Sequence, residues 1–323
     1  HFVRITRIPG YIKITEHTMR FGILGAGAVG GYFGARLAEA GENVAFIARG
    51  AHLEAIQNSG LRIESENGDA CITNSLATDN ASEVGHVDFI LFAVKLFQTE
   101  EAAEFARPMV GPNTSFVCLQ NGVECADTLS RIHGPEKVLN GASYISAVIA
   151  EPGLIRQTGK FSSFSFGEAD GSDSERGRHL KEACDNAGLA PTYSDKIDVL
   201  VWMKFVRIAM MAGITSVTRK PIGALREDPD IRRVIEAAIA EAIAVARGKG
   251  VDLPDHAMDQ ELNQIDDFPA SMVASMVHDL TGGKPMELDW ISGAVCRFGR
   301  EVGVPTPTHD AFFAALKPYK DGG

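Results

Sequence analysis

The chain has 323 residues, 45% of them hydrophobic and 23% charged, which suits a soluble globular protein with two cores rather than one. A formal net charge of -11 excludes nucleic acid and anionic membrane as main partners, and any anionic ligand must be met by local positive groups. No run of about 20 apolar residues marks a membrane span. The cysteines Cys71, Cys118, Cys125, Cys184 and Cys296 are odd in number and lack C-x-x-C spacing, so reduced thiols in a cytoplasmic protein are expected, with no disulfide framework and no metal site.

Residues 1–18, HFVRITRIPGYIKITEHT, lack the apolar run of a signal peptide; they are read as an N-terminal extension, more readily added to the natural chain than part of it. RFGILGAG is a short buried strand entering a glycine turn, after which Val29, Phe33 and Leu37 recur at helical spacing until Gly41. NVAFIA is a second strand ending at Arg49. VDFILFAV is a third, followed by Lys95, and SFVCL a fourth, followed by Gln120, Asn121 and Gly122. Strands alternating with helical patterns predict βαβ units in a doubly wound parallel sheet. Residues 141–168 hold β-rich runs between Pro-Gly and Thr-Gly-Lys turns and predict antiparallel strands extending that sheet, with a polar helix over 173–187.

Beyond Ser194 the pattern is helical. IDVLVWMKFVRIAMMAG is an apolar helix. The next has an Asp228 cap, Pro229 in its first turn and an apolar face of Ile231, Val234, Ile235, Ala238, Ala242 and Val245. PMELDWISGAVCRFGREVG and THDAFFAALKPY add further helices. The expected division is an α/β domain over 19–193 and an all-α domain over 194–323.

Gly25, Gly27 and Gly30 form G-x-G-x-x-G between a strand and a helix, the arrangement in which main-chain N–H groups and a helix N-terminus face a pyrophosphate. Where such folds carry an acid for a ribose 2′-hydroxyl, this strand ends in Arg49, whose guanidinium can fork a 2′-phosphate, so NADP is expected over NAD; the competing reading is a solvated surface arginine. Lys95 and Asn121 follow neighbouring strands and outline the same ligand rim, at the carboxyl ends of the sheet.

Lys204 stands in VLVWMKFVRIAMM, where nearly every neighbour is apolar. Such a lysine either snorkels its head to water or is placed, with a lowered pKa, for proton transfer. Glu287 is the acid paired with it, against the alternative of a surface bridge to Lys284. Ser275 reads equally as a helix-end serine. His278 and His309 show no metal-ligand spacing and read as structural.

Taken in order, GAGAVG, ARG, VKLFQ, LQNGV, WMKF, ASM and ELDWISG resemble the ketopantoate reductase (2-dehydropantoate 2-reductase) family, from Met19 nearly to the C-terminus. The resemblance implies a Rossmann-type domain, a helical domain and NADPH-dependent reduction of a 2-oxo acid to a 2-hydroxy acid in the pantothenate pathway, with the active cleft between the domains. It assigns Gly25, Ala26, Gly27, Ala28, Val29, Gly30, Arg49, Lys95, Asn121, Ala147 and Glu287 to the cofactor, Lys204 and Glu287 to catalysis, and Asn121, Lys204 and Ser275 to the substrate. Where the family pattern has asparagines four, eight and eighteen residues beyond the lysine, and another before the serine motif, this chain has Ile208, Ala212, Ile222 and Met272. That departure predicts a more apolar substrate pocket, with Arg207 as the candidate for part of the lost carboxylate recognition. A reductase of a bulkier or more apolar 2-oxo acid and a non-catalytic NADPH sensor are the competing functions; monomer and homodimer both stay open.

Overall fold

The computed structural model describes residues 4–8, 11–15 and 18–322, with side chains from residue 18 onward, Lys160 apart. Of the leading extension, Arg4–Ile8 and Tyr11–Thr15 pair as an antiparallel hairpin, and residues 1–3, 9, 10, 16 and 17 lie outside the described residues. The chain divides into two compact units: residues up to Gln120 together with Cys125–Ile197, and Asn121–Glu124 together with Asp198–Gly323.

The first unit is built on a ten-stranded sheet. Its centre is parallel: Leu76–Thr78, Asn43–Ile47, Arg20–Leu24, Val87–Phe92, Val110–Cys118 and the start of Val138–Glu151 lie side by side in that order. Side chains alternate between two cores. Phe21, Ile23, Phe89 and Leu91 join one cluster, and Leu24, Ile90 and Phe92 the other. Helix Ala28–Glu39 covers the first face, while Ala102, Ala103 and Leu129 cover the second. A sheet covered on both faces needs near-continuous apolar strands, which is why VDFILF reads as a run and not as an alternation.

Val138–Glu151 turns back antiparallel into Leu154–Gly167, the extension expected over 141–168. Leu61–Ser65 then pairs parallel to that strand, and Ala70–Ile72 closes the edge. These two short strands and Leu76–Thr78 are absent from the sequence reading, because runs of three to five residues with at most two buried apolar positions barely rise above loop composition.

Among the described residues, every regular element of the second unit is a helix. Ile197–Thr218 runs the length expected of IDVLVWMKFVRIAMMAG and beyond. Helix Pro229–Gly248 is capped by Asp228, whose side chain accepts from the N–H groups of Asp230 and Ile231. Its buried face is broader than the expected one. Ile235, Ala238, Ala242 and Val245 are inside as expected, Ile239, Ile243 and Ala246 join them, Ile231 is half-buried and Val234 is exposed. Ile239 and Ile243 compete with Val234 for the core, and the pair one turn apart wins because it continues the line of Ile235.

Arg207 of the long helix forks onto Glu261 of helix Ala257–Asp267, Nε to Oε2 at 2.8 Å and Nη2 to Oε1 at 2.9 Å. Glu261 is fully buried; desolvation raises its pKa, and the Arg207 hydrogen bonds oppose that rise. Removing one member of a buried pair strands the other charge. Glu261→Ala is therefore expected to lower the unfolding free energy by about 3–5 kcal/mol in urea titrations, and pairing Arg207→Met with Glu261→Leu to recover most of that loss. Equal losses in the single and double variants would refute the coupling.

Candidate active site

In the first unit the three glycines of the turn do three different things. Gly25 has φ +92, and a Cβ there would lie within 2.9 Å of the Ala93 and Val94 backbone. Gly30 is crowded: its Cβ would meet Gly25 O at 2.4 Å, so only hydrogen lets the helix lie this close to the strand. Gly27, by contrast, faces open space, its nearest neighbour being Ile149 Cδ1 at 4.0 Å. It caps helix Ala28–Glu39 with no side-chain hydrogen bond and no acid in the first turn, which leaves the positive end of the helix to a ligand.

A cavity of about 280 Å³ opens at this turn. Gly25, Ala26, Gly27, Arg49, His52 and Ile149 are among the residues that line it. Arg49 caps the following helix with its guanidinium at the rim, 5.7 Å over the Phe105 ring and 3.6 Å from Glu101 Oε1. Both partners of that ion pair are more than half exposed, so it holds Arg49 weakly, and a phosphate that accepts two hydrogen bonds displaces it readily.

His52 went unread in the sequence. Its Nδ1 accepts from Gly153 N–H at 3.0 Å, which fixes the proton on Nε2, and Nε2 donates to Ala26 O at 2.9 Å. The ring thereby ties the glycine turn to the Glu151–Leu154 bend. Gln120 was also missed: buried, it joins Thr99 and Val94 O across the loop that carries Lys95. No local signal marks either residue, since each works through backbone groups distant in sequence. Lys95 itself is half-buried and opens the short helix Leu96–Gln98. Ala147 packs against the sheet's core, and Ile149, two residues on, lines the cavity.

In the second unit Lys204 is 9% exposed among apolar neighbours. Its Nζ donates to Asn121 Oδ1 at 2.8 Å. Burial is the largest cause lowering its pKa, to about 7; the Arg207 charge lowers it further, and the Glu287 charge opposes both. Glu287 is half-buried and precedes the single turn Leu288–Trp290. Ser275 is exposed at the first position of helix Ser275–Thr281. One turn beyond Lys204 on the same helical face stands Ile208, and a second turn on stands buried Ala212. Ile222 is wholly buried, and its N–H donates to Met272 O. Arg207, expected to take over carboxylate recognition, is already forked by Glu261. His309 is buried with Nε2 on Ala238 O, a structural placement. Among the described residues no His, Cys, Asp or Glu cluster suits a metal ion, all five cysteines are free thiols, and no helix is long and apolar enough to cross a membrane.

A lysine poised near neutrality beside an amide acceptor can give a proton to a developing alkoxide and take it back from an alcohol. The open glycine turn at the start of a helix suits the diphosphate of a nicotinamide dinucleotide.

Comparison with known proteins places the chain in a family. The family model "Ketopantoate reductase PanE/ApbA" matches residues 21–171, and its C-terminal counterpart matches 196–320. A 2-dehydropantoate 2-reductase of Mesorhizobium japonicum is 34% identical over 321 residues, spanning 93% of this chain and 97% of that protein. The crystal structure of a PanE/ApbA family ketopantoate reductase from Ralstonia eutropha JMP134 superposes with a TM-score of 0.86 at 31% identity, over 94% of this chain and 98% of that one. D-mandelate dehydrogenase, in a ternary structure with NADH and anilino(oxo)acetate, has the same fold at 23% identity and a TM-score of 0.85, over 94% of this chain and 98% of that one.

Gly25→Ala is expected to weaken dinucleotide binding at least tenfold by fluorescence titration, because a Cβ at positive φ is strained and collides with the Ala93–Val94 backbone that follows strand Val87–Phe92. Unchanged affinity would mean that the turn does not cradle the ligand.

Proposed function

The chain belongs to the ketopantoate reductase family of nicotinamide-dependent oxidoreductases, and we propose that it uses NADPH to reduce a 2-oxo acid, 2-dehydropantoate in the first instance, to the 2-hydroxy acid. Lys204 carries this reading: a nearly buried amine, held on Asn121 Oδ1, whose pKa is brought to about 7.

Gly25, Gly27 and the first turn of the following helix would hold the diphosphate, and Arg49 the 2′-phosphate. Reduced nicotinamide, when bound, supplies the hydride for the carbonyl carbon. As negative charge grows on the carbonyl oxygen, the Lys204 ammonium stabilises it and then gives up a proton, leaving a neutral amine and a secondary alcohol. Burial makes that transfer easy, because the apolar surroundings favour the amine over the ammonium. Asn121 orients the donor, and the Glu287 charge keeps enough of the lysine protonated for turnover. Ser275, exposed at a helix start, supplies a hydroxyl and an N–H for the substrate carboxylate.

A second reading rests on Ile208 and Ala212. They extend an apolar wall from Lys204 where an amide would serve a substrate hydroxyl, and that wall favours a 2-oxo acid with a branched or aromatic side chain. Initial rates on 2-dehydropantoate against branched and aromatic 2-oxo acids separate the two. A turnover number on 2-dehydropantoate far below the others' rejects the first substrate and keeps the reaction.

The protonated form of Lys204 serves reduction and is lost as pH rises through its pKa. For the free enzyme, kcat/KM of reduction is expected to fall about tenfold per pH unit above roughly pH 7, and oxidation of the hydroxy acid to rise over the same range. Lys204→Ala should lower kcat about 10²–10⁴-fold with little change in NADPH affinity. A flat profile from pH 6 to 9, or a fully active alanine variant, would end the assignment.

Arg49→Ala should weaken NADPH by about 10–100-fold, as expected for a charge-assisted phosphate contact, and leave NADH nearly untouched. Wild-type protein that binds NADH as tightly as NADPH contradicts the 2′-phosphate role.

A further inference from the structure

Asn121–Glu124 is a short excursion of the chain. It belongs to the second compact unit, although Gln120 before it and Cys125 after it belong to the first. Within the second unit two side-chain pairs hold its ends. Lys204 Nζ donates to Asn121 Oδ1 at 2.8 Å, and Arg297 Nη2 donates to both Glu124 oxygens, at 2.7 and 2.6 Å. Arg297 is itself fixed from two sides. Its Nη1 reaches Asp289 O at 3.4 Å, and its guanidinium lies 5.2 Å over the Phe298 ring. It projects from helix Ser292–Val302, whose residues Ser292–Cys296 are buried.

Between the two held residues lies Gly122 at φ +145, a conformation open to glycine and to few other residues. Local chain stiffness therefore does little to aim the Asn121 amide; its aim comes from the anchors at either end. One anchor is the lysine whose proton the reaction uses. The other is the Arg297–Glu124 pair.

We propose that Arg297 and Glu124 are positioning residues, which clamp this segment so that Asn121 Oδ1 stays on Lys204 Nζ. The proposal rests on Lys204 as the proton donor. A half-exposed ion pair of this kind contributes little to global stability. Its effect is local. Lys204 is acted on by the like charge of Arg207 and the opposite charge of Glu287, with Asn121 as acceptor, and Arg207 is in turn balanced by Glu261. Loss of the acceptor removes a hydrogen bond that favours the ammonium, so the lysine becomes a weaker base.

The test compares wild-type protein with Glu124→Ala, Arg297→Lys and the exchange Glu124→Arg with Arg297→Glu. Glu124→Ala is expected to lower kcat about tenfold to a hundredfold, the usual cost of misplacing a reacting group by about an ångström. NADPH affinity and thermal midpoint should hardly move, and the falling limb of the pH–rate profile should shift to lower pH. Arg297→Lys should keep most activity, and the exchange should restore part of what Glu124→Ala loses.

A readout independent of turnover is the pH dependence of Lys204 acetylation by acetic anhydride, followed on its peptide by mass spectrometry. Its midpoint should fall in Glu124→Ala, as in Asn121→Ala. Wild-type kcat and an unmoved acetylation midpoint in Glu124→Ala overturn the proposal. So does a loss of activity accompanied by a large drop in thermal midpoint, or an exchange variant that folds without any recovery. Should the wild-type protein reduce no 2-oxo acid at all, the catalytic reading fails, while the acetylation series still decides whether the pair governs Lys204.

Discussion

One ammonium group taken out of water sets the terms for the second unit. Withdrawing an unpaired charge into protein costs several kcal/mol even after relaxation, and the group relieves that cost by titrating nearer to neutrality. Lys204 does so on a helix that is otherwise apolar. Its surroundings are arranged to keep the amine usable: Asn121 accepts its hydrogen bond, and Glu287 tempers the fall in pKa. Arg207, one turn away, would depress it further as a bare cation, and it is forked onto a carboxylate with no solvent exposure. The Arg207–Glu261 pair thus serves the lysine's electrostatics as well as the packing of two helices.

The cofactor site proposed for the first unit meets the opposite problem, attracting anions to an acidic protein. A chain of net charge -11 offers no helpful long-range field, so the binding groups are local and mostly main chain. A helix start without acids, a glycine that leaves the backbone bare, and an arginine at the rim supply positive potential over a few ångströms. His52 holds this turn by its backbone, through a tautomer fixed by Gly153. The weak pairing of Arg49 with Glu101 leaves the guanidinium at the cavity rim, free to exchange partners with the 2′-phosphate proposed for it.

Reaction and substrate rest on different residues in this protein. In the proposed reaction proton transfer falls to Lys204, with Asn121 as acceptor and Glu287 as counter-charge, whereas recognition of the substrate's far end would fall to the next two turns of the helix. Ile208 and Ala212 there, with Arg207 already engaged, leave few polar groups for a hydroxyl-bearing substrate. Family membership therefore constrains the chemistry more tightly than it constrains the acid that is reduced.

Period and local chemistry were enough to read the parallel strands, the glycine turn, the Asp228 cap and the oddity of a lysine in an apolar helix, because each is written within about ten consecutive residues. The ordered motifs added the family, and with it the roles proposed for Asn121, Ser275 and Glu287. Three short strands, the wider buried face of helix Pro229–Gly248 and the partners of His52, Gln120 and Arg297 were legible only in three dimensions. Short strands are chosen by the neighbours they pair with, and a helix bearing more apolar residues than one face holds is oriented by what it packs against. A histidine or arginine whose partners lie 26 to 173 residues away carries no mark of them in its own stretch of chain. Sequence alone determined which groups are unusual; tertiary structure decided which partners they meet, because hydrogen bonds and burial are set by proximity in space and not along the chain.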